Sequence, residues 1–312
     1  MAYEGLRARR PLIMGRRGAV ASNHPVATAA GIEILRAGGN AADAAVAIAV
    51  TLGVVEPHMS GLGGDGFYHA WNAKTGASTT YNGTGAAPAA ATIAHYRAAG
   101  GIPVHGALSI QTPGMVAGLA ALHGAEGSKP WGALFGPAIE AARDGFAATH
   151  ALRHFAGENR ARLVPDALSA ALFLPEGKPP GLGNLLVQPA LAATLQRLAS
   201  AGPQDFYQGR LAAMLAADLE KAGALVRAAD LASVAPIIAP PIAVPYRGFE
   251  LRQTPPNSMG FAMAQMARIL DRFDLAALGW GSAALIHLMV EAKKRAFLDR
   301  EAYAGAVNPP LD

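Results

Sequence analysis

Apolar residues change their spacing along this chain, and the changes mark out its elements. A short extended segment at 18–22 leads to His24-Pro25, which opens a helix through Leu35, and Ala37-Gly38-Gly39-Asn40 stops it. Asn40 is placed to cap a second helix, 41–54, in which Asp43 is the single charge. A helix apolar on every side belongs in an interior. After the glycines of 61–66 the spacing becomes that of strands. Segments 67–71 and 77–81 flank Asn72-Ala73-Lys74-Thr75-Gly76, which predicts a hairpin with glycine where positive φ is needed. Helical spacing returns at 114–124, 132–144 and 189–200, and 205–222 reads as one amphipathic helix. A Pro/Gly loop fills 177–184. Residues 235–257 are proline-punctuated and extended, with a strand over 246–254, before helices at 258–273 and 282–303. With no repeat, low-complexity tract or long linker, the pattern predicts a single α/β domain over 18–312.

Composition sharpens this picture. Hydrophobic residues make up 52% of the chain and charged ones 15%, which calls for two-sided burial or a large surface covered by a partner. The longest uncharged apolar run, 44–55, falls short of the roughly 20 residues a bilayer needs, so a buried helix is expected and no membrane contact. The net charge of +4 sits in the tail MAYEGLRARRPLIMGRR, and the rest is balanced. That places a basic, disordered tail at 1–17 on a neutral body, not a nucleic-acid groove. No apolar core of a secretory signal follows the arginines, and there is no cysteine for a disulfide or a thiol nucleophile. A cytoplasmic location is expected, or a periplasmic one if the N-terminus is incomplete.

The glycines of GLGGDG, 61–66, have G-x-G-x-x-G spacing. A dinucleotide loop needs a strand before it, a helix after it and an acid about 20 residues on. Here the helix precedes, the strand follows, and 81–91 reads YNGTGAAPAAA with no acid, so nucleotide binding is rejected. His150 and His154 stand four apart without a third metal ligand, which favours a solvent-facing pair. Asp43, Glu56, His58 and Asp65 bracket the loop. They form either an acid/base cluster or, the favoured reading, two carboxylates holding loop amides with His58 packed at a helix end. Asp299 and His287 have no serine in a nucleophile elbow to join. The chain thus carries no self-contained catalytic centre and calls for no cofactor or metal.

Residues 20–67, VASNHPVATAAGIEILRAGGNAADAAVAIAVTLGVVEPHMSGLGGDGF, resemble the N-terminal signature of the γ-glutamyltranspeptidase family. The resemblance runs on through WNAKTG (71–76), TPGMVAGL (112–119), DFYQGRLAAMLAADLEKAGALVRAADLA (205–232), PIAVPYRGFELRQTPPNSMG (241–260) and HLMVEAKKRAFLDREAYAG (287–305). It implies an N-terminal-nucleophile hydrolase, a precursor that cleaves itself into large and small subunits forming a four-layer αββα sandwich. The nucleophile is then the N-terminal Thr of the small subunit, with its own α-amino group as base. This chain matches the large subunit, so its implied partners are that small subunit and a small-molecule amide, in a heterodimer or a dimer of heterodimers.

One departure bears on substrate. In γ-glutamyl-specific members an Asp-x-Arg-Glu-x-x-Pro-like segment supplies an arginine to the substrate α-carboxylate. Here the matching residues are Asn82-Gly83-Thr84-Gly85-Ala86-Ala87-Pro88, with Thr84 at the arginine position and Gly85 at the acid. Asn82, Thr84 and Gly85 are therefore expected to shape the acyl pocket of an amidohydrolase not strictly specific for γ-glutamyl groups. The loop with Asp65 looks closer to the oxamate amidohydrolase type, and acylase-like members also lack the arginine. A genuine γ-glutamyltransferase, or a non-catalytic scaffold of the same fold, are the alternatives.

Overall fold

The computed structural model describes residues 13–304. Residues 1–12 of the expected disordered tail lie outside them. The chain divides into two compact units, Met1–Ser60 with Gly127–Gln196, and Gly61–Glu126 with Arg197–Asp312.

The first unit is built around two helices. Helix α1, Pro25–Arg36, starts with proline where a missing N–H costs nothing, and His24 caps it by accepting from Val26 N through Nδ1 at 3.2 Å. Helix α2, Ala41–Val55, opens with a reciprocal capping box: Asn40 Oδ1 accepts from Asp43 N at 3.0 Å, and Asp43 Oδ2 accepts from Asn40 N at 2.8 Å. Gly31 lets the two helices approach, because a Cβ there would strike the Ile48 side chain. Val46, Val50, Val54 and Val55 of α2 are fully buried, as the all-round apolar sequence requires. The side chain of Gln188 donates to the Val54 carbonyl at 2.9 Å, satisfying one of the carbonyls a helix end leaves open. Phe146–Ala147 and Leu185–Leu186 add a short antiparallel pair.

The second unit carries the hairpin. Strands β1, Phe67–Asn72, and β2, Ala77–Asn82, pair in register from Phe67↔Asn82 to Asn72↔Ala77, turning at Gly76 with φ +70°. Ile237–Ala239 adds a third antiparallel strand beside β2. Two predicted elements need correction. The strand expected over 246–254 is a hairpin of Ile242–Tyr246 with Phe249–Gln253, because Arg247 and Gly248 both take positive φ, as a two-residue type I′ turn requires. The helix expected over 205–222 is two helices, Gln204–Gln208 and Arg210–Lys221. Asp205 folds back to accept from Arg210 N (3.0 Å) and Leu211 N (3.3 Å), capping the second helix, and a Cβ on Gly209 would run into it.

Helices and antiparallel strands together give the mixed α/β chain expected. Among the described residues, no helix is long and apolar enough to cross a membrane.

Candidate functional site

Asn82 closes β2, and the chain beyond it is held by glycines. Gly83 extends the hairpin by exchanging hydrogen bonds with Gly66: Gly83 N to Gly66 O at 2.8 Å, and Gly66 N to Gly83 O at 3.3 Å. The Gly64 carbonyl accepts from Gly114 N and Met115 N, both at 3.0 Å, which occupies amides at the start of helix Met115–Glu126 that the helix itself leaves open. The glycine loop therefore splices the hairpin to a helix N-terminus. A Cβ on Gly83 would lie 2.9 Å from Gly114 O and Gly118 Cα, and one on Gly85 would fall inside the Thr112 carbonyl. Backbone meets backbone here, so the path of residues 83–85 is fixed.

Thr84 stands on that path. Its hydroxyl lies 2.6 Å from Asn82 Oδ1, which also accepts from Thr84 N at 2.9 Å. Asn82 Nδ2 donates to Asn257 Oδ1 at 2.8 Å, and Asn257 Nδ2 donates to Thr84 Oγ1 at 3.2 Å. Of the three expected site residues, the structure places Thr84 and Gly85 on the wall of one cavity of about 340 Å³, and Asn82, 5% exposed, behind Thr84. Asn257 and Asp230 also line the cavity, and Asp230 is the only charged side chain among its described lining residues. Its carboxylate accepts from Ala89 N and Arg227 N, each at 2.8 Å. The sequence reading missed Asn257 and Asp230. Asn257 sits in a TPPNS turn 175 residues from Asn82, and nothing local joins them.

The remaining polar candidates lie outside the lining of this cavity. Asp43 is fully buried and accepts from Ser128 N (3.0 Å), Ser128 Oγ (2.5 Å) and Lys129 N (3.2 Å) besides Asn40. Burial alone would raise its pKa, but these hydrogen bonds outweigh it and hold the carboxyl below its ordinary value. This is the amide-holding role expected of Asp43. Asp65 departs from that expectation and accepts instead from the Gln111 side chain at 3.2 Å. His58 stacks on Phe155 at 4.7 Å. Burial lowers the pKa of both His58 and His24, Glu56 opposing it in each case. His24 Nε2 and His58 Nδ1 are buried without a hydrogen-bond partner. His154 pairs with Glu158 at 3.5 Å, and Asp299 accepts from Gln265 at 2.7 Å. Among the described residues no three His, Cys, Asp or Glu side chains are grouped to hold a metal.

The family model for gamma-glutamyltranspeptidase matches residues 27–309. The glutathione hydrolase proenzyme of Escherichia coli is 36% identical over 94% of this chain and 52% of its own length. The acylase ACY 1 proenzyme of a Pseudomonas species is 38% identical over 92% of this chain and 53% of its own length. The chain thus spans about half the length of the curated relatives it matches. The crystal structure of Helicobacter pylori gamma-glutamyltranspeptidase superposes with a TM-score of 0.91 at 33% identity, covering 97% of this chain and 89% of that one. Cephalosporin acylase from Bacillus halodurans superposes with a TM-score of 0.85 at 31% identity, over 95% of this chain and 57% of that one. The fold is that of these N-terminal-nucleophile hydrolases, and the chain belongs to the gamma-glutamyltranspeptidase family.

Proposed function

We propose that this chain is the large-subunit part of an amidohydrolase precursor, and that its acyl pocket is not strictly specific for γ-glutamyl groups. The nucleophile is assigned to the N-terminal Thr of a small subunit supplied by the rest of the precursor. Two matched relatives are named proenzymes, and the match reaches about half of each. In this reading the Thr hydroxyl attacks the amide carbonyl with its α-amino group as base, and the amine leaves. Water, or less readily another amine, then resolves the acyl-enzyme. Asn82, Thr84 and Gly85 shape the side of the pocket that receives the acyl group.

The observation that carries the substrate reading is the cavity wall beside Thr84. Among the described residues no arginine or lysine lines it, and a carboxylate does. A γ-glutamyl α-carboxylate would there lose a charge-assisted pairing, a cost of about 2–5 kcal/mol. The acylase relative supports an acyl group of a different kind. Identity to a glutathione hydrolase favours the second reading, a genuine γ-glutamyltransferase. Steady-state hydrolysis of a γ-glutamyl anilide and of the anilide of a neutral acyl group, 4-carbamoylbutyryl, by the processed full-length protein decides between them. The γ-glutamyl compound is expected to have the lower kcat/KM; were it turned over better, saturating at low concentration, the reading of Thr84 would fall.

A further inference from the structure

We infer that Asn257, acting with Thr84, sets the acyl preference of the cavity, and that it selects an uncharged, hydrogen-bonding acyl group such as a carboxamide; this rests on the proposed acyl pocket. Thr84, Asn82 and Asn257 close a ring in which each side chain donates once and accepts once. The single hydroxyl proton of Thr84 goes to Asn82 Oδ1, the nearer acceptor at 2.6 Å. Asn82 Nδ2 then serves Asn257 Oδ1, and Asn257 Nδ2 serves Thr84 Oγ1. Asn82 is buried and also tied to the Thr84 backbone, so it anchors the ring. Asn257 is the exposed member and lines the cavity. Its amide keeps a second N–H and a second oxygen lone pair outside the ring. The ring can thus offer a ligand one donor and one acceptor, both neutral. With the Asp230 carboxylate in the same wall, an acyl group bearing its own carboxylate is disfavoured and a carboxamide matches both valences.

The ring also bears on how specificity could be changed. An arginine at position 84 would break two of the three ring bonds, leaving Asn82 Oδ1 only the backbone N–H of residue 84 and Asn257 Nδ2 without its acceptor. Thr84→Arg alone is therefore expected not to create γ-glutamyl preference, whereas Thr84→Arg with Asn257→Ala, which clears space beside it, is expected to do so.

The test uses the processed full-length protein, with glutaramide as the neutral probe and L-glutamate as the charged one. Calorimetry should show glutaramide binding more tightly than L-glutamate. Asn257→Asp keeps the side-chain shape but removes the donor and adds a charge, and should weaken glutaramide about tenfold with little change in thermal midpoint. Asn257→Gln, which retains the amide, should recover part of that loss. Tighter binding of L-glutamate to the unaltered protein, unchanged glutaramide affinity in Asn257→Asp, or γ-glutamyl preference conferred by Thr84→Arg alone would each overturn the inference. If glutaramide binds as expected but no amide is hydrolysed, the proposed reaction fails and the role of Asn257 stands.

Discussion

Gly85 and Gly63 are both glycines near the hairpin, yet they differ in what surrounds them. A Cβ on Gly85 would fall inside the Thr112 carbonyl, while one on Gly63 meets nothing within 4 Å. Gly85→Ala must push one backbone segment off another, which costs about 3 kcal/mol or more. Gly63→Ala is expected to stay within about 0.5 kcal/mol. Urea unfolding midpoints of the two variants check this, and equal losses would show that the junction yields. The same contrast explains the loop that first suggested a nucleotide. Of the three glycines with that spacing, only Gly66 is crowded, by the Tyr68 side chain, while Gly61 and Gly63 stand open.

At the scale of single elements, α1 has an unusual cap. His24 accepts from Val26 N through Nδ1, so its ring must be neutral to do so, with the proton on Nε2. Burial depresses its pKa, and that of His58, below the ordinary histidine value. Both rings bind protons less readily folded than unfolded. Their contribution is therefore fully present above the unfolded pKa near 6.5 and is lost as pH falls through the depressed folded values. Unfolding free energy should drop between about pH 7.5 and pH 5.5. His24→Asn keeps an acceptor at the cap without titrating and should show a shallower drop, whatever its stability at neutral pH. An unchanged slope would remove His24 from the account.

What the sequence made legible at this scale follows from how local each signal is. Asn40 with Asp43, His24-Pro25 and the turn ending at Gly76 announce their elements within five residues, and the structure has all three. The break at Gly209 is hidden in the sequence because Asp205 lies in one helix while its carboxylate caps the next. The turn at Arg247-Gly248 was hidden because arginine seldom takes positive φ. Asn82, Thr84 and Gly85 were read through resemblance. Asn257 had no such route, since its link to Asn82 exists only after the sheet and the TPPNS turn have folded.

At the scale of the whole molecule, the chain spans about half of its curated relatives and leaves apolar strand residues uncovered. Ile237 and Ile238, in the strand beside β2, are 61% and 58% exposed, and Phe249 of the second hairpin is 78% exposed. An exposed apolar strand invites pairing with another segment. If the proposed small subunit covers these strands, the chain produced alone should self-associate and enhance the fluorescence of an apolar dye. Co-production with that proposed subunit should suppress both. Equal dye binding with and without it would place the companion elsewhere.

The glycine junction also constrains how this site can diversify. Because Gly83, Gly85, Gly114 and Gly118 press backbone on backbone, a side chain at any of them displaces the segment that presents Thr84. New preferences must then arise from side chains carried on a fixed rail, not from re-routing the rail. A combinatorial library that varies Thr84 and Asn257 together and leaves the four glycines untouched would sample selectivity at the proposed acyl pocket while most of its members still fold.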